Sequence, residues 1–135
     1  MKKSVRKRAK VPRIADPCSI GEALGVFDGR WKGAVIWWLA GQPRRFNELR
    51  RLIPDVSPRA LTMQLRALER DGLVSRRQYM EIPPRVEYAR TPLCDSLIPL
   101  LEAVGSWWEL QMDAVARARE SFDAAIARGG AEKQR

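Results

Sequence analysis

The 135-residue sequence predicts a mainly α-helical domain with one small β-hairpin, an α+β fold. Three observations lead to this prediction. Apolar residues recur at the three- and four-residue spacing of helices along most of the chain. After Gly72 the pattern becomes strand-like on both sides of a proline-containing loop at 80–84. A heptad-like apolar stripe then runs through the C-terminal third, which is typical of a long helix.

Basic charge is concentrated in two parts of the chain. The formal net charge is +9, with 25 Lys and Arg against 16 Asp and Glu. Residues 1–13 hold seven basic side chains and no acid, and residues 41–91 hold 11 basic against six acidic ones, a net +5. Such clustering favours a polyanionic partner. We predict a disordered basic arm over 1–15, which either follows phosphates or is a solvated tail. One domain is predicted over 16–128 and a disordered tail over 129–135.

The composition argues against several classes of protein. Two cysteines do not make a disulfide scaffold, and the absence of histidine removes the commonest general base and metal ligand. The sequence has no metal-ligand cluster and no glycine-rich phosphate loop, so we expect no enzyme activity, no metal and no cofactor. No apolar run approaches the length of a membrane span, and no signal-peptide core follows the basic start. We therefore expect a cytoplasmic protein without a membrane partner.

Three helices are predicted before residue 57. The first begins at 16–18 and is broken by the turn signal at 28–29. The second runs from 31 to 40, and its largely apolar surface predicts burial. A turn at 41–43 ends it, and the third helix follows over 46–53, with apolar residues on its inner side.

The fourth helix has both of its ends marked in the sequence. A tight corner at 54–56 leads into Ser57, whose hydroxyl can cap free backbone N–H groups, and Pro58 suits the first helical position. Gly72 can adopt the left-handed conformation that ends a helix. Helix, short turn and capped helix together form a helix-turn-helix. The inward apolar stripe of the fourth helix consists of Leu61, Leu65 and Leu68.

The outer face of the fourth helix is basic and polar, and we expect no acid on it. A guanidinium can hold guanine O6 and N7 together, worth about 1–3 kcal/mol of discrimination. Arg59 and Arg66 are therefore the predicted base readers, with Thr62 on a base or phosphate and Met63 on a thymine methyl group. The same pattern also fits an ordinary surface helix with solvated arginines, one of them Arg70. The predicted recognition-helix contacts are Ser57, Pro58, Arg59, Thr62, Met63 and Arg66.

Two predicted strands follow, at 73–79 and 85–90, separated by a stiff loop at 80–84. A hairpin directly after a recognition helix is the wing of a winged helix-turn-helix DNA-binding domain. Arg85, beside the loop prolines, either enters the minor groove or forms a salt bridge to Glu87 or Glu81. Three further arginines are expected to contact the DNA backbone without reading sequence. They are Arg44, Arg45 and Arg77.

A long C-terminal helix begins at Thr91-Pro92. Pro99 lies inside its apolar pattern and should kink the helix or delay its start. The apolar face, interrupted by the polar Gln111, is wider than one small domain needs. We therefore predict a two-fold homodimer through this dimerisation helix, joined by the first helix; the alternative is packing on its own core alone. The predicted interface residues are Leu97, Leu101, Val104 and Trp108.

Several ordered segments resemble the HxlR family of bacterial transcription regulators, winged helix-turn-helix dimers related to MarR. The resemblance runs from about Cys18 to Trp108, and the ordered set is more specific than any one segment. The segments are Gly-Arg-Trp-Lys (29–32), Pro-Arg-Arg-Phe-Asn-Glu-Leu (43–49), Ser-Pro-Arg-Ala-Leu (57–61), Leu-Glu-Arg-Asp-Gly-Leu-Val (68–74), Pro-Pro-Arg-Val-Glu-Tyr (83–88) and Thr-Pro-Leu (91–93).

The resemblance implies transcription regulation by a dimer on a pseudo-palindromic operator in double-stranded DNA, with one recognition helix in each major groove. It also implies a role for Cys18, because many family members carry a cysteine there and several of those sense oxidants or electrophiles. The chain departs from the family pattern at Gln64, often Arg or Lys, and at Cys94, where Gly is usual. Its basic arm is also longer than the family minimum.

Two effectors are considered for regulation. Cys18 lies where the first helix is expected to start, a setting that can make a thiol reactive, although a cysteine is often only a small buried hydrophobe. The alternative effector is a small apolar ligand between tryptophans that are more simply core and interface residues. They are Trp37, Trp38, Trp107 and Trp108.

Two other functions fit the same fold. A winged-helix domain can join a protein complex without touching DNA, and a basic domain can bind DNA without sequence preference. The basic central segment argues against the first of these. Binding to specific and scrambled DNA at rising salt would separate all three functions.

Overall fold

The computed structural model describes residues 18–133 as five α-helices and one three-stranded antiparallel sheet, with strand order β1-β3-β2. Helices and a small hairpin followed by a long C-terminal helix confirm the predicted fold class. The elements are α1 (Cys18–Phe27), α2 (Lys32–Trp38), β1 (Arg44–Arg45), α3 (Phe46–Leu52), α4 (Pro58–Arg70), β2 (Val74–Tyr79), β3 (Arg85–Arg90) and α5 (Pro92–Glu132).

One apolar core joins α2, α3, α4, β2 and the first turn of α5. The apolar stripe predicted for the fourth helix, Leu61, Leu65 and Leu68, is buried, because these residues recur at helical spacing on one side of the element. Phe46, Leu52 and Tyr88 pack around the core without being fully buried. The core residues are Val35, Ile36, Leu39, Leu49, Ile53, Val56, Leu61, Leu65, Leu68, Leu73, Val74 and Cys94.

The end of α4 shows how local chemistry fixes the connection to the wing. Gly72 has φ +76°, a left-handed conformation that favours glycine. The Leu73 N–H donates to the Leu68 carbonyl at 2.9 Å, and the Thr91 hydroxyl donates to the Gly72 carbonyl at 2.6 Å. The left-handed glycine expected to end this helix is therefore confirmed, and it ties the start of β2 to the start of α5.

Strand β1 was not predicted. Arg44 and Arg45 pair antiparallel with Tyr88 and Glu87 of β3, which makes the wing hairpin part of a three-stranded sheet. A strand of two residues has no periodicity of its own, so only its tertiary partner identifies it. The second helix is also shorter than expected, because it ends at Trp38 before the left-handed Gly41.

Helix α5 is longer than predicted. It runs through Pro99 without interruption for 41 residues, about 60 Å at 1.5 Å per residue. The expected delayed start is wrong, because Thr91 caps the helix by accepting from the Cys94 N–H at 3.2 Å, and Ile98 and Leu101 pack on the core on either side of Pro99. The helix also reaches Glu132, so residues 129–132 are helical and not a tail.

Two long stretches of the fold have little to pack against within one chain. No residue of α1 is buried, and beyond Leu101 nearly all of α5 is exposed. The basic arm over 1–15, the predicted helix start at 16–17 and the last two residues of the predicted tail lie outside the described residues. Within 18–133, no helix is long and apolar enough to cross a membrane.

Candidate nucleic-acid interface

The orientation of α4 about its own axis is fixed by its buried residues. Leu61, Leu65 and Leu68 are completely or almost completely buried, so the opposite side of the helix must face solvent. The Ser57 hydroxyl caps the helix by accepting from the Ala60 N–H at 3.1 Å, as predicted, and Pro58 occupies the first turn. Helix α4 is thus positioned by its core stripe and its cap before any partner arrives.

The predicted reading face of α4 is exposed. Arg59 and Arg66 lie on it, and neither makes an ion pair within residues 18–133. Thr62 is exposed too, but its hydroxyl donates to the Pro58 carbonyl at 2.9 Å, which leaves its oxygen as an acceptor. Met63 lies between the arginines with its side chain more than half exposed. The structure therefore brings the predicted recognition residues onto one surface.

Gln64 lies outside that surface. It is half-buried on the flank of α4, beside Leu61 and Leu65, because it stands one residue before a core position. The departure from the family pattern at Gln64 therefore falls at the border with the core. A longer basic side chain there would have to extend out past this edge.

The expectation of no acid on the outer face of α4 is wrong at one edge of that face. Glu69 is exposed on α4, and its Oε1 lies 3.7 Å from Nε of Arg76 on β2. The sequence predicts Arg76 in a strand, but no local pattern indicates its contact with Glu69, because that contact depends on the tertiary angle between α4 and the wing. A carboxylate therefore stands between the recognition helix and the wing.

The wing hairpin has two chemically different faces. Val74 is buried, so the residues that alternate with it, Arg76 and Gln78, lie on the side of the sheet that faces α4. Tyr88 is the cross-strand partner of Arg76 and lies on the same side. Arg77 and Tyr79 lie on the outer side.

Arg85 is held within the wing. Its guanidinium stacks over the Tyr79 ring at 3.9 Å and lies 3.3 Å from Oε1 of Glu81 and 3.7 Å from Oε1 of Glu87. Only 27% of its side chain is exposed. Of the two roles expected for Arg85, the structure contains the salt bridge, to both predicted carboxylates. Arg77 stacks on the same ring at 4.9 Å and remains exposed.

The two arginines before α3 have different environments. The Nε of Arg44 donates to the Trp38 carbonyl, a guanidinium nitrogen lies 4.0 Å from Oε2 of Glu48, and 18% of the side chain is exposed. Arg44 therefore fastens the end of α2 to β1, which leaves little of it for a DNA backbone. Arg45 is exposed, and its backbone N–H donates to the Glu48 carboxylate at 3.4 Å.

A cleft of about 500 Å³ separates α4 from the wing. It had no counterpart in the sequence prediction, because its two walls come from different elements. Burial raises the pKa of Tyr88; the Arg76 guanidinium opposes this rise, the Glu69 carboxylate adds to it by less, and Arg66 opposes it least. The phenol is therefore a neutral hydrogen-bond donor at physiological pH. The cleft is lined by Thr62, Arg66, Glu69, Arg70, Arg76 and Tyr88.

The predicted dimer residues divide into two pairs. Leu97 and Leu101 are half-buried because they pack on the core of their own chain. Val104 and Trp108 are 45% and 42% exposed and have no comparable packing within residues 18–133. The exposed apolar surface continues along both unpacked helices. Its other large members include Ile20 and Leu24 on α1 and Leu100, Trp107, Phe122 and Ile126 on α5.

The four tryptophans suggested for a ligand do not form one site. Trp38 packs on the core, whereas Trp37 is exposed and lines a groove of about 710 Å³ between α2 and α5. The groove floor includes Ile36, Leu101 and Val104, and its lining does not include Trp107 or Trp108.

The two cysteines have opposite environments. Cys18 is exposed and is the first described residue of α1. Cys94 is completely buried in the first turn of α5, and burial raises the pKa of its thiol. Two smaller effects oppose each other: Arg90 lowers this pKa and Asp95 raises it. Reagents in solution therefore meet Cys18 before Cys94.

Comparison with known proteins finds one family and several relatives. Residues 26–116 match the model of the HxlR-like helix-turn-helix family. The chain is 39% identical over 98 residues to the HTH-type transcriptional regulator YdeP of Bacillus subtilis. This alignment covers 73% of this chain and 77% of YdeP.

Solved structures with the same fold include a redox regulator. The reduced form of the redox regulator HypR superposes with a TM-score of 0.68 at 37% identity and covers 73% of this chain and 98% of its own. The oxidised form of HypR superposes with a TM-score of 0.64 at 40% sequence identity, and the match covers 68% of this chain and 95% of the HypR chain. A transcriptional regulator of the MarR family from Enterococcus faecalis V583 superposes with a TM-score of 0.68 at 35% sequence identity, and the match covers 81% of this chain and 99% of that regulator.

Proposed function

The chain belongs to the HxlR-like helix-turn-helix family of transcriptional regulators, and from this we propose that it binds a pseudo-palindromic operator in double-stranded DNA as a homodimer. The observation that supports the proposal best is the outer face of α4, where a buried leucine stripe turns Arg59 and Arg66 toward solvent. An α-helix with such a face fits the major groove, and a wing lies beside it.

The contacts on DNA are assigned by environment. Arg59 and Arg66 read base edges, because both are exposed and make no ion pair in the described part of the chain. Arg45 and Arg77 contact phosphates, since they are exposed at either side of α4. The helix start at Ser57 favours a phosphate as well, through its dipole and free N–H groups. Arg44 and Arg85 are left out of this set because their guanidiniums are used within the chain.

The second copy of the chain is the partner proposed for α1 and α5. A two-fold dimer places two α4 helices about one DNA turn apart, roughly 34 Å, which is the spacing a pseudo-palindrome requires. Val104 and Trp108 support this proposal, because they lie at helical spacing on a face that one chain leaves open.

Binding to the DNA upstream of the protein's own gene tests the function. Inverted repeats in that region, and scrambled versions of them, are titrated at increasing salt with fluorescence anisotropy as the readout. We expect a specificity ratio of about 10³ or more. Equal affinity for repeat and scrambled duplexes would indicate a non-specific DNA binder. Absence of binding to either would favour a protein-interaction module.

We propose that Cys18 is the regulatory thiol. The support is its exposure at the described start of α1, on a helix with no buried residue, and the similarity of the fold to that of the redox regulator HypR. Diamide, which joins two thiols as a disulfide and is itself reduced, should weaken operator binding by wild type and by Cys94→Ala through the Cys18 thiols of the two copies, and should leave Cys18→Ser unchanged. A response of Cys18→Ser equal to that of wild type would exclude this thiol.

A small apolar effector is the second candidate for regulation. The groove between α2 and α5 supports it, because Trp37 lines a space that connects the DNA-binding core with the dimerisation helix. An effector that quenches Trp37 fluorescence should act equally on Cys18→Ser. An effect that requires Cys18 would favour the thiol route.

A further inference from the structure

The cleft between α4 and the wing combines cationic and neutral donors on two walls. Thr62, Arg66 and Arg70 stand at i, i+4 and i+8 on one side of α4. Arg76 and Tyr88 stand opposite, as cross-strand partners on the inner side of the wing. The guanidiniums of Arg70 and Arg76 and the phenol of Tyr88 line one space of about 500 Å³ beside Arg66, and they match the chemistry of an oxyanion.

We propose that this cleft binds one phosphodiester of the DNA backbone, with Tyr88 as a neutral donor and Arg70 and Arg76 as cationic donors. The inference rests on the proposed DNA binding, in which the DNA strand between α4 in the major groove and the wing passes this cleft. None of these three residues was expected to contact DNA from the sequence, where Tyr88 is simply an aromatic residue in a strand.

In the chain without DNA, the Glu69 carboxylate forms an ion pair with the Arg76 guanidinium. The two side chains are 3.7 Å apart, and both are about half exposed, so the pair is accessible and weak. A phosphate that enters the cleft competes with the Glu69 carboxylate for the same guanidinium. Glu69 therefore lowers affinity for every sequence, and specific binding must overcome it through base contacts elsewhere on α4.

The two donors can be separated by their salt dependence. Loss of an arginine that contacts phosphate lowers the slope of log affinity against log salt by about 0.9, whereas loss of a neutral donor leaves the slope unchanged. Arg76→Ala should therefore flatten the slope by nearly one. Tyr88→Phe should weaken binding about tenfold at every salt concentration, because a hydrogen bond to a charged group is lost.

Tyr79→Phe is the matched control for Tyr88. Both tyrosines lie in the hairpin and are partly buried, but Tyr79 lies on the outer side with Arg77 and Arg85. Binding is measured on full-length protein with a short mixed-sequence duplex, and circular dichroism verifies the fold of each variant. Equal affinities of Tyr88→Phe and Tyr79→Phe would overturn the proposal.

A double-mutant cycle tests the competition by Glu69. Glu69→Gln should raise affinity severalfold in wild type and little in Arg76→Ala, because the gain comes from a released Arg76. Glu81→Gln, which removes a carboxylate paired with Arg85 on the wing, is the charge control. An equal gain in both backgrounds would mean that Glu69 acts only by long-range repulsion, and would overturn this part of the proposal.

Two outcomes distinguish a failure of the cleft assignment from a failure of the proposed function. If wild type binds no duplex at all, the proposed function fails; if wild type binds and the Tyr88 and Arg76 variants bind equally, only the cleft assignment fails. A free anion is the other source of a phosphate. At constant ionic strength, inorganic phosphate in place of chloride should weaken DNA binding by wild type more than binding by Tyr88→Phe, because both phosphates compete for the same donors; phosphate that binds the cleft of wild type without changing DNA affinity would overturn the backbone assignment.

Discussion

At the scale of single residues, arginines that look alike in sequence differ in what holds them. Arg44 donates to a backbone carbonyl, and Arg85 stacks on Tyr79 between two carboxylates. Arg59 and Arg66 lack any ion pair in the described chain. A guanidinium already paired within its own chain gains less from a phosphate, so availability and not charge alone separates the proposed DNA contacts from structural arginines.

Arg66→Ala should lower operator affinity by about 1–3 kcal/mol and relax the preference at one base pair, because a bidentate contact to a guanine edge is lost. The measurement is a titration against the operator and its single-base variants. Arg44→Ala is the matched control, which should lower the free energy of unfolding and leave the base preference unchanged. Uniform weakening across all sequences by Arg66→Ala would reassign Arg66 to phosphate.

Cys94 should make stability sensitive to alkaline pH. Its folded pKa is raised by burial above the ordinary value of 9.0, so below about pH 8 both states keep the proton and the full stability is present. Above that range the unfolded thiol releases its proton first, and the free energy of unfolding falls as pH rises. Tyr88 has a raised pKa as well, from 10.0, and adds a later fall.

Urea unfolding at a series of pH values checks this expectation. Cys94→Ala should remove the fall that begins near pH 9, and Tyr88→Phe should remove the later part. Cys18→Ser, which changes the exposed thiol, serves as the control and should retain the wild-type profile. An unchanged alkaline profile in Cys94→Ala would contradict the prediction.

At the scale of elements, the sequence predicted what local patterns determine. The α4 stripe, its cap at Ser57 and the end at Gly72 are set by neighbouring residues, so they could be identified. Strand β1 and the Glu69–Arg76 pair depend on chain segments that are far apart in sequence, and no local pattern indicates them. The same holds for the cleft, since neither of its walls is a site without the other.

Helix α1 illustrates an element held by a polar link. The Lys32 side chain is almost buried, and its ammonium group donates to the Gly25 carbonyl at 3.4 Å and to Asp28 Oδ1 at 3.3 Å. Meanwhile Ile20 and Leu24 remain about half exposed. The helix is thus attached to its own core at one end, and its apolar side stays open for a second chain.

Gly72→Ala should lower the free energy of unfolding by about 1–2 kcal/mol, the cost of a left-handed conformation for a residue with a Cβ atom. Steric overlap is not the reason, because the added Cβ would lie 3.6 Å from Leu93 Cδ2, an ordinary contact. Gly33→Ala is the control: it is helical, with open space around it, and should stabilise by about 0.5–1 kcal/mol. Urea denaturation gives both values, and the same sign for the two would contradict the prediction.

At the scale of the whole molecule, one chain leaves much of its apolar surface exposed. The core joins the helix-turn-helix and the wing, but α1 contributes no buried residue and α5 extends about 60 Å with its distal part exposed. An apolar face of this extent is unusual on a monomeric protein. The dimer proposed above supplies its partner, and the same contact sets the distance between two recognition helices.

Trp108→Glu should therefore convert the dimer to a monomer, because it places a charge in the proposed seam where 42% of the side chain is open in one chain. Leu110→Glu is the control: Leu110 is 80% exposed and stands about 200° around the helix from Trp108, away from the stripe. Sedimentation equilibrium should give a monomer for the first variant and a dimer for the second. Operator affinity should fall by about 100-fold or more only in the first, since each half-site is then bound separately. A dimeric, tightly binding Trp108→Glu protein with intact helix content would move the dimer contact away from this part of α5.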